Sequence, residues 1–438
     1  MKKKTNDEYL KVFKDKSELV HPDGTIETFE EGSTDKAAVI RYSKIVKALR
    51  GGFLDKLIGD CKKNSKGVKT LKIEKHHAEL IDNLVASVTS EVGRALIGLS
   101  VLQLVVKVIE PGQSIRLHKG GRSSYNFSWK DGISMRSLDK NYITPILRSH
   151  GLLKLNADGF MMTRSLAENY PYSPLYKANL RGGRNEWLAL VEKIETNNLD
   201  PLSTLKYLIF RLINSAKEFE LLAGQALGTL KAFLKAHPAI TQSDVIKIIE
   251  KHATTSDYAA RLMEIAMHSL FQAIKDRGAF PNFELVPLSQ MRSANKKHGN
   301  VGDVEFTENG NIVIAWDAKY GKSYLRDEVE ELSDKIRDHG SLKLIGFVTS
   351  EEPERLAELE ERINEIQSMY GVELKTISLR AWVAQYYKAA EIEGVAEDAL
   401  SKAWIIAYAE SLAQKRRAVA AIDEPCNIWL KDLLVLLK

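Results

Sequence analysis

The sequence predicts an α/β (α+β) multidomain protein, in which a basic N-terminal region and a helical connector precede a C-terminal domain with a mixed central sheet flanked by helices. Three observations predict this. At 438 residues the chain is about three times a typical ~150-residue domain. Its 44% apolar and 28% charged residues are the balance of an ordinary globular protein rather than a disordered one. Between Asp257 and Leu379 the apolar period switches in the order helix, three strands, helix, strand, helix, strand.

Composition narrows the function classes. Two cysteines, Cys61 and Cys426, are too few for a disulfide framework or a four-ligand zinc site and suit a reducing cytoplasm. The longest strongly apolar stretch, Ala95 to Ile109, contains Gln103 and Lys107 and falls short of the ~20 residues that span a bilayer. The charged start, Met1 to Glu8, has no apolar run behind it, so no export signal is expected. Secreted and membrane classes are disfavoured, and the expectation is a cytoplasmic protein.

The net charge of +5 is unevenly placed. Met1 to Asp200 carries 33 Lys and Arg against 24 Asp and Glu, and Val101 to Arg184 alone carries 13 against 5. A local basic excess is the footprint of a surface that neutralises phosphates. The first hundred residues read as mixed, with helices near Lys36 to Leu49 and from His77 to Val105. A basic segment rich in Gly, Ser and aromatics follows from Arg116 to Lys130 and reads as loop or short strand. Ser137 can cap a helix over 138–150, kinked or broken at Pro145 and stopped by Gly151. Leu152 to Leu155 and Phe160 to Thr163 then flank the turn Asn156-Ala157-Asp158-Gly159 as a hairpin. Helix followed by hairpin is the second half of a winged-helix unit, in which the helix enters the major groove of double-stranded DNA. The expected DNA-recognition region is 1–184, with the winged helix at about 116–170. Arg116, Lys119, Arg122, Lys130, Arg136, Lys140 and Arg148 are its expected DNA-binding residues.

Residues 185–253 read as a helical connector, because Leu205, Leu208, Ile209 and Leu212, then Leu227, Leu230 and Leu234, form long apolar stripes. The C-terminal domain spans 254–438. It opens on a helix from Tyr258 to Lys275 that carries Glu264. Phe283 to Leu288 is a short strand confined to an edge or bulge by Pro287. Gly302 to Thr307 and Asn311 to Lys319 form a hairpin across Asn309-Gly310. Leu325 to His339 is helix, Leu342 to Thr349 strand, Pro353 to Met369 helix and Val372 to Leu379 strand; Arg380 to Lys438 is helical by pattern, as core completion or a dimer surface.

Residues two apart on a strand share a face, so Asp317 and Lys319 project together. The hairpin lays Asp303 beside them, close enough for both carboxylates to hold one Mg²⁺, with the Ala318 carbonyl as a further ligand. Lys319 is placed to orient a metal-bound water and to stabilise charge on a scissile phosphate. Glu264 is placed to complete the acidic cluster or to hold a second ion.

On these residues the region resembles the PD-(D/E)XK nuclease superfamily, with Gly302-Asp303, thirteen intervening residues and Asp317-Ala318-Lys319 standing for its motif. Gly302 departs from the proline of the superfamily's name. The likeness extends to restriction endonucleases with a FokI-like cleavage domain. There too a helix carrying Met-Glu, here Met263-Glu264, precedes the Asp strand, and a Lys-Tyr-Gly segment, here Lys319-Tyr320-Gly321, leads into an acidic helix, here Asp327 to Glu331. It covers about Asp257 to Glu352, a fifth of the chain. The resemblance implies a sequence-specific double-stranded DNA endonuclease of type II, arranged like the shifted-cutting type IIS enzymes and using Mg²⁺. One catalytic centre per chain implies a homodimer at least during cleavage, or two successive cuts.

Three similar-looking patterns rank below this one. Tyr320-Gly321-Lys322-Ser323 imitates a phosphate loop, but the glycine that would start it is Trp316. His76 and His77 diverge by ~100° around a helix and, with Glu79, read as solvated surface. Glu373-Leu374-Lys375 lies on the last strand without an Asp-bearing hairpin before it. Two other functions compete: a winged-helix DNA-binding regulator with an inactive nuclease-like domain, and a structure-specific repair or junction nuclease. The first is disfavoured because Glu264, Asp303, Asp317 and Lys319 are all present, the second by the large basic N-terminal region.

Overall fold

Both periodicities are realised in a mixed α/β architecture with one three-stranded and one five-stranded sheet. The computed structural model describes residues 7–64, 71, 73–87, 91–118, 128–153, 159–161, 166, 170–180, 182–288, 301–417 and 424–438. The chain divides into two units, Met1–Glu218 with Val419–Glu424 and Phe219–Ala418 with Pro425–Lys438. Among the described residues no helix is long and apolar enough to cross a membrane.

In the first unit β1 (Tyr9–Val12), β2 (Lys16–Val20) and β3 (Ile26–Glu30) pair antiparallel in sequence order. This sheet was not resolved in the sequence reading. Its turn is made by Asp23-Gly24, where the Asp23 carboxylate accepts from the N–H and the hydroxyl of Thr25. The helical core of the unit is built from Lys36–Arg50, Phe53–Lys63, Lys75–Ala86, Glu91–Ile109 and Arg184–Glu195, with the start of Pro201–Ala236. The expected helix from His77 to Val105 is two helices. Ser87 follows the first, and its hydroxyl donates to the Leu84 carbonyl at 2.6 Å, a local bond that competes with continuation.

The expected helix over 138–150 starts earlier, as Met135–Leu138, passes through a π turn at Asp139–Ile143 and ends as Thr144–Ser149. Ser137 is therefore inside it rather than at its cap. The Thr144 N–H reaches back five residues to the Asp139 carbonyl. This widening precedes Pro145, whose missing N–H would leave a gap in a regular ladder. Asp139 is buried beneath the turn and accepts from the Thr144 hydroxyl at 2.5 Å and the Met161 N–H at 2.8 Å. Most of the expected hairpin, 154–158 and 162–165, lies outside the described residues.

The residues of the span 185–253 contribute to two cores. Trp187, Leu190, Leu205 and Ile209 belong to the core of the first unit, whereas Ala226, Leu230, Val245 and Ile249 belong to that of the second.

The second unit is organised by the sheet β4 (Glu284–Leu285), β5 (Val304–Glu308), β6 (Asn311–Lys319), β7 (Leu344–Thr349) and β8 (Glu373–Ser378), in that order. β4, β5 and β6 are antiparallel; β6, β7 and β8 are parallel. The helix expected over Leu325 to His339 is two short ones, Arg326–Glu330 and Leu332–Arg337. These and Leu356–Tyr370 make the two crossovers, and their apolar residues pack with Ala315, Ile345 and Phe347 on one sheet face. The other face, with Val304, Phe306, Trp316 and Val348, packs on Ala259–Asp276 and on the C-terminal helices Leu379–Ile392, Glu397–Leu412 and Cys426–Leu436. Trp382, Trp404 and Trp429 are fully buried there, so the C-terminal helices complete this core. The Trp316 indole donates to the Tyr386 hydroxyl at 2.9 Å and meets Trp382 and Tyr386 edge-on.

Candidate active site

Alternation along β6 places the site. Trp316 is committed to the aromatic core, so Asp317 and Lys319 must emerge on the opposite face. Val304 pairs with Trp316, and one step before it the Asp303 N–H donates to the Trp316 carbonyl at 2.9 Å. Gly302 makes this approach possible. A Cβ there would lie 2.8 Å from the Trp316 carbonyl oxygen, so only glycine fits without displacement. Glu305, buried two residues beyond Asp303, shapes the lead-in by accepting the N–H groups of Val301 and Gly302.

The expected residues Asp303, Asp317, Ala318 and Lys319 meet. Asp303 Oδ2 accepts the Ala318 N–H at 3.0 Å, and the two aspartyl groups are hydrogen-bonded to each other. Burial, with the charges of Asp317 and Glu264, holds Asp303 well above the usual carboxylate range, against the Ala318 N–H. Burial also pushes Asp317 upward, but Lys319 and Lys335, with the bond from Asp303, outweigh it and hold Asp317 low. The two carboxyl groups are thus pushed in opposite directions, Asp303 towards its neutral form and Asp317 towards its ionised form. Lys319 Nζ donates to Asp317 Oδ2 at 3.1 Å and lies 5.5 Å from the centre of the Phe347 ring. Burial favours its neutral form, but Asp317 more than reverses this and keeps Lys319 a cation.

The donor set suits a hard divalent ion: two carboxyl groups and a backbone carbonyl, with no sulfur or imidazole. N–H and C=O of one strand residue point the same way, so Ala318, whose N–H meets Asp303, turns its carbonyl to that side too. Glu264 lies near enough for its charge to act on Asp303, and its carboxylate also takes the Arg261 guanidinium at 2.5 Å. Among the described residues the groups of three metal-ligating side chains with atoms within 4.8 Å are Glu74, His76 and His77, and Glu8, His21 and Glu192, both in the first unit.

Sequence reasoning missed Lys335 and Glu305. Glu305 was legible, because it shares a strand face with Asp303; Lys335 carried no signal, because it arrives from a crossover helix whose facing depends on tertiary packing. Two of the lower-ranked patterns are accounted for by local pairs; in the third, expected as solvated surface, His77 is buried. Lys322 is held by Glu328, and Lys375 pairs with Glu373 at 2.9 Å.

The expected DNA-binding residues divide. Arg136 and Lys140 are exposed on the helical span and Arg148 is half-buried; Lys130 is exposed and pairs with Glu30 at 2.7 Å. Lys119 and Arg122 lie outside the described residues. Arg116 is only 1% exposed, and its guanidinium is held by Glu192 at 2.7 Å, Glu27 at 3.2 Å and the Tyr172 carbonyl. It is an internal brace of the first unit, because a guanidinium that far from solvent is kept there by its carboxylates. No family model matches the chain, and no curated protein matches it.

Proposed function

We propose that this protein is a Mg²⁺-dependent endonuclease of the PD-(D/E)XK type that cuts double-stranded DNA, as a type II restriction enzyme with a FokI-like cleavage domain. The observation that carries the proposal is the meeting of Asp303, Asp317 and Lys319 where an antiparallel hairpin joins a parallel sheet. Asp303, Asp317 and the Ala318 carbonyl are the residues that would hold the ion. Bound Mg²⁺ supplies positive charge at the phosphate and a water of lowered pKa.

The chain's own residues do the rest. Asp303 acts as a ligand in its ionised form. Lys319, kept cationic by Asp317, contributes charge and hydrogen bonding rather than proton abstraction. Its ammonium orients the attacking water and stabilises the added negative charge as the new P–O bond forms and the bond to the sugar oxygen breaks. The attacking water gives up its proton to solvent, and the departing oxygen takes one from solvent.

In the same proposal the first unit chooses the sequence through a winged helix whose reading helix is the span Met135–Ser149. Lys130, Arg136, Lys140 and Arg148 face DNA, and Arg116 is omitted as buried. The enzyme works in the cytoplasm and pairs as a homodimer at least during cleavage, since each chain has one centre. The test is incubation of the purified protein with supercoiled plasmid and long genomic duplex, with Mg²⁺ or with EDTA, followed by sequencing of the ends. Defined ends that need Mg²⁺ support the proposal. Binding without cutting would point instead to a regulator, and cutting confined to branched DNA to a junction nuclease.

A further inference from the structure

Asp317 Oδ2 receives two ammonium groups. Lys319 reaches it at 3.1 Å from the same strand, and Lys335 at 3.2 Å from the crossover helix Leu332–Arg337. The second contact is not the one local rules would choose. Glu331 lies four residues before Lys335 and Asp338 three after it, both exposed and both at helical pairing positions. Lys335 instead extends inward, 29% exposed, to a buried carboxylate that already has a cation, and among the described residues it has no other ion-pair partner. Ordering a long side chain in this way costs up to ~2 kcal/mol of rotamer freedom.

We infer that Lys335 is a substrate-contacting catalytic residue whose ammonium binds a non-bridging oxygen of the phosphodiester that enters the centre. The inference rests on the nuclease reading and deepens it. One carboxylate oxygen faces two cations, so the centre presents a positive charge that a phosphate complements. The two lysines come from different directions, one fixed in the strand and one from the crossover helix. A phosphate between them meets a donor on each side, while Asp317 keeps its place.

The test compares Lys335→Ala, Lys335→Arg and the control Lys343→Ala with the wild type in two assays on the full chain. The first is duplex DNA binding in EDTA over a salt series. The second is the single-turnover cleavage rate at saturating Mg²⁺. Loss of one phosphate contact should lower the slope of log affinity against log salt by about 0.9 for Lys335→Ala. The cleavage rate should fall about 10²-fold, the scale of one transition-state donor. Lys335→Arg should recover the slope and much of the rate, and Lys343→Ala should match the wild type. A purely structural ion pair predicts a lower melting temperature with unchanged slope and unchanged saturated rate; that outcome overturns the inference. If Asp317→Ala and Lys319→Ala lose cleavage while Lys335→Ala keeps it, Lys335 alone is misassigned. If neither of those variants affects cleavage, the nuclease reading fails with it.

Discussion

Replacing Gly302 by alanine is expected to cost both cleavage and stability. The added Cβ would lie 2.8 Å from the Trp316 carbonyl oxygen and 3.1 Å from its carbonyl carbon and amide nitrogen. These are backbone atoms of a central strand, so nothing can rotate away. Restoring ordinary contact at 3.4 Å requires the lead-in to β5 to lift by about 0.6 Å. Overpacking of this kind costs roughly 1–3 kcal/mol. For a unit of this size, ~2 kcal/mol lowers the melting temperature by about 4–8 °C. The lift falls on Asp303, whose N–H is 2.9 Å from the same Trp316 oxygen, and stretching that bond by the same amount breaks it. Displacement of a ligand on this scale should slow cleavage by about 10–10² fold, given that ~1 Å of misplacement costs on the order of 10². Gly302→Pro should be worse, because it also removes the N–H that donates to Glu305 at 2.9 Å. Gly340→Ala, with open space around its Cβ, is the matched control. Thermal melting with initial cleavage rates checks both parts. A Gly302→Ala protein that melts and cuts like the wild type refutes the link between this close approach and the placement of Asp303.

Asp317→Ala and Lys319→Ala should each reduce cleavage by on the order of 10³-fold while DNA affinity in EDTA is retained, read by nicking rates and gel shifts; wild-type rates from both place the centre elsewhere. Asp303→Asn should abolish cleavage yet stabilise the protein in EDTA at neutral and alkaline pH. The folded state holds the Asp303 proton above its unfolded pKa, so that contribution is present at low pH and lost as pH rises through the folded value. Asparagine keeps a neutral donor to Asp317 and an acceptor for Ala318, so its melting curve should be flatter with pH; parallel curves for the two proteins count against the raised Asp303 pKa. His252, held between the Tyr408 hydroxyl at 2.7 Å and the Trp429 carbonyl at 2.9 Å, has its pKa lowered to about 4 by burial. Its contribution is lost as pH falls from the unfolded value of ~6.5 towards the folded one, so His252→Gln should flatten acid unfolding in that window; an unchanged pH slope would contradict this.

The parts of the fold legible in sequence were those with a long or punctuated period. Asn309-Gly310 between apolar runs fixed the β5–β6 hairpin, and sustained stripes identified Ala259–Asp276 and the helices beyond Arg184. The three-stranded sheet was missed although Asp23-Gly24 marks its turn, because β1 and β3 are short, largely exposed and weakly alternating. Asp303, Asp317 and Lys319 were legible because strand spacing determines their common face. Arg116 was misjudged for another reason. Its place depends on partners distant in sequence and on depth of burial, Arg116 being enclosed by Glu27, Glu192 and Tyr172, and no local pattern reports either. Net charge located a basic region, but charge alone does not separate a cation that faces solvent from one that braces a core.

What gives the centre its precision is the apolar face of the sheet. A one-residue slip of β6 would turn Asp317 into the aromatic core and Trp316 towards the crossover helices, so whatever fixes Trp316 fixes the site. Two features do so. The indole ring lies so close over Gly346 of β7 that a Cβ there would sit 2.2 Å from it, and its N–H is spent on Tyr386. The change from antiparallel to parallel pairing at β6 supplies the rest. β5 runs against β6, so the start of β5 meets the end of β6 and brings Asp303 to Asp317 and Lys319. β7 runs with β6, so the chain must leave that same end and cross over, and the crossover returns Lys335 to the carboxylate it has just passed. Strand ends that feed helices are where open sheets leave room for a ligand. Here the same topology opens the end of β6 and furnishes it with two carboxyl groups and two lysines.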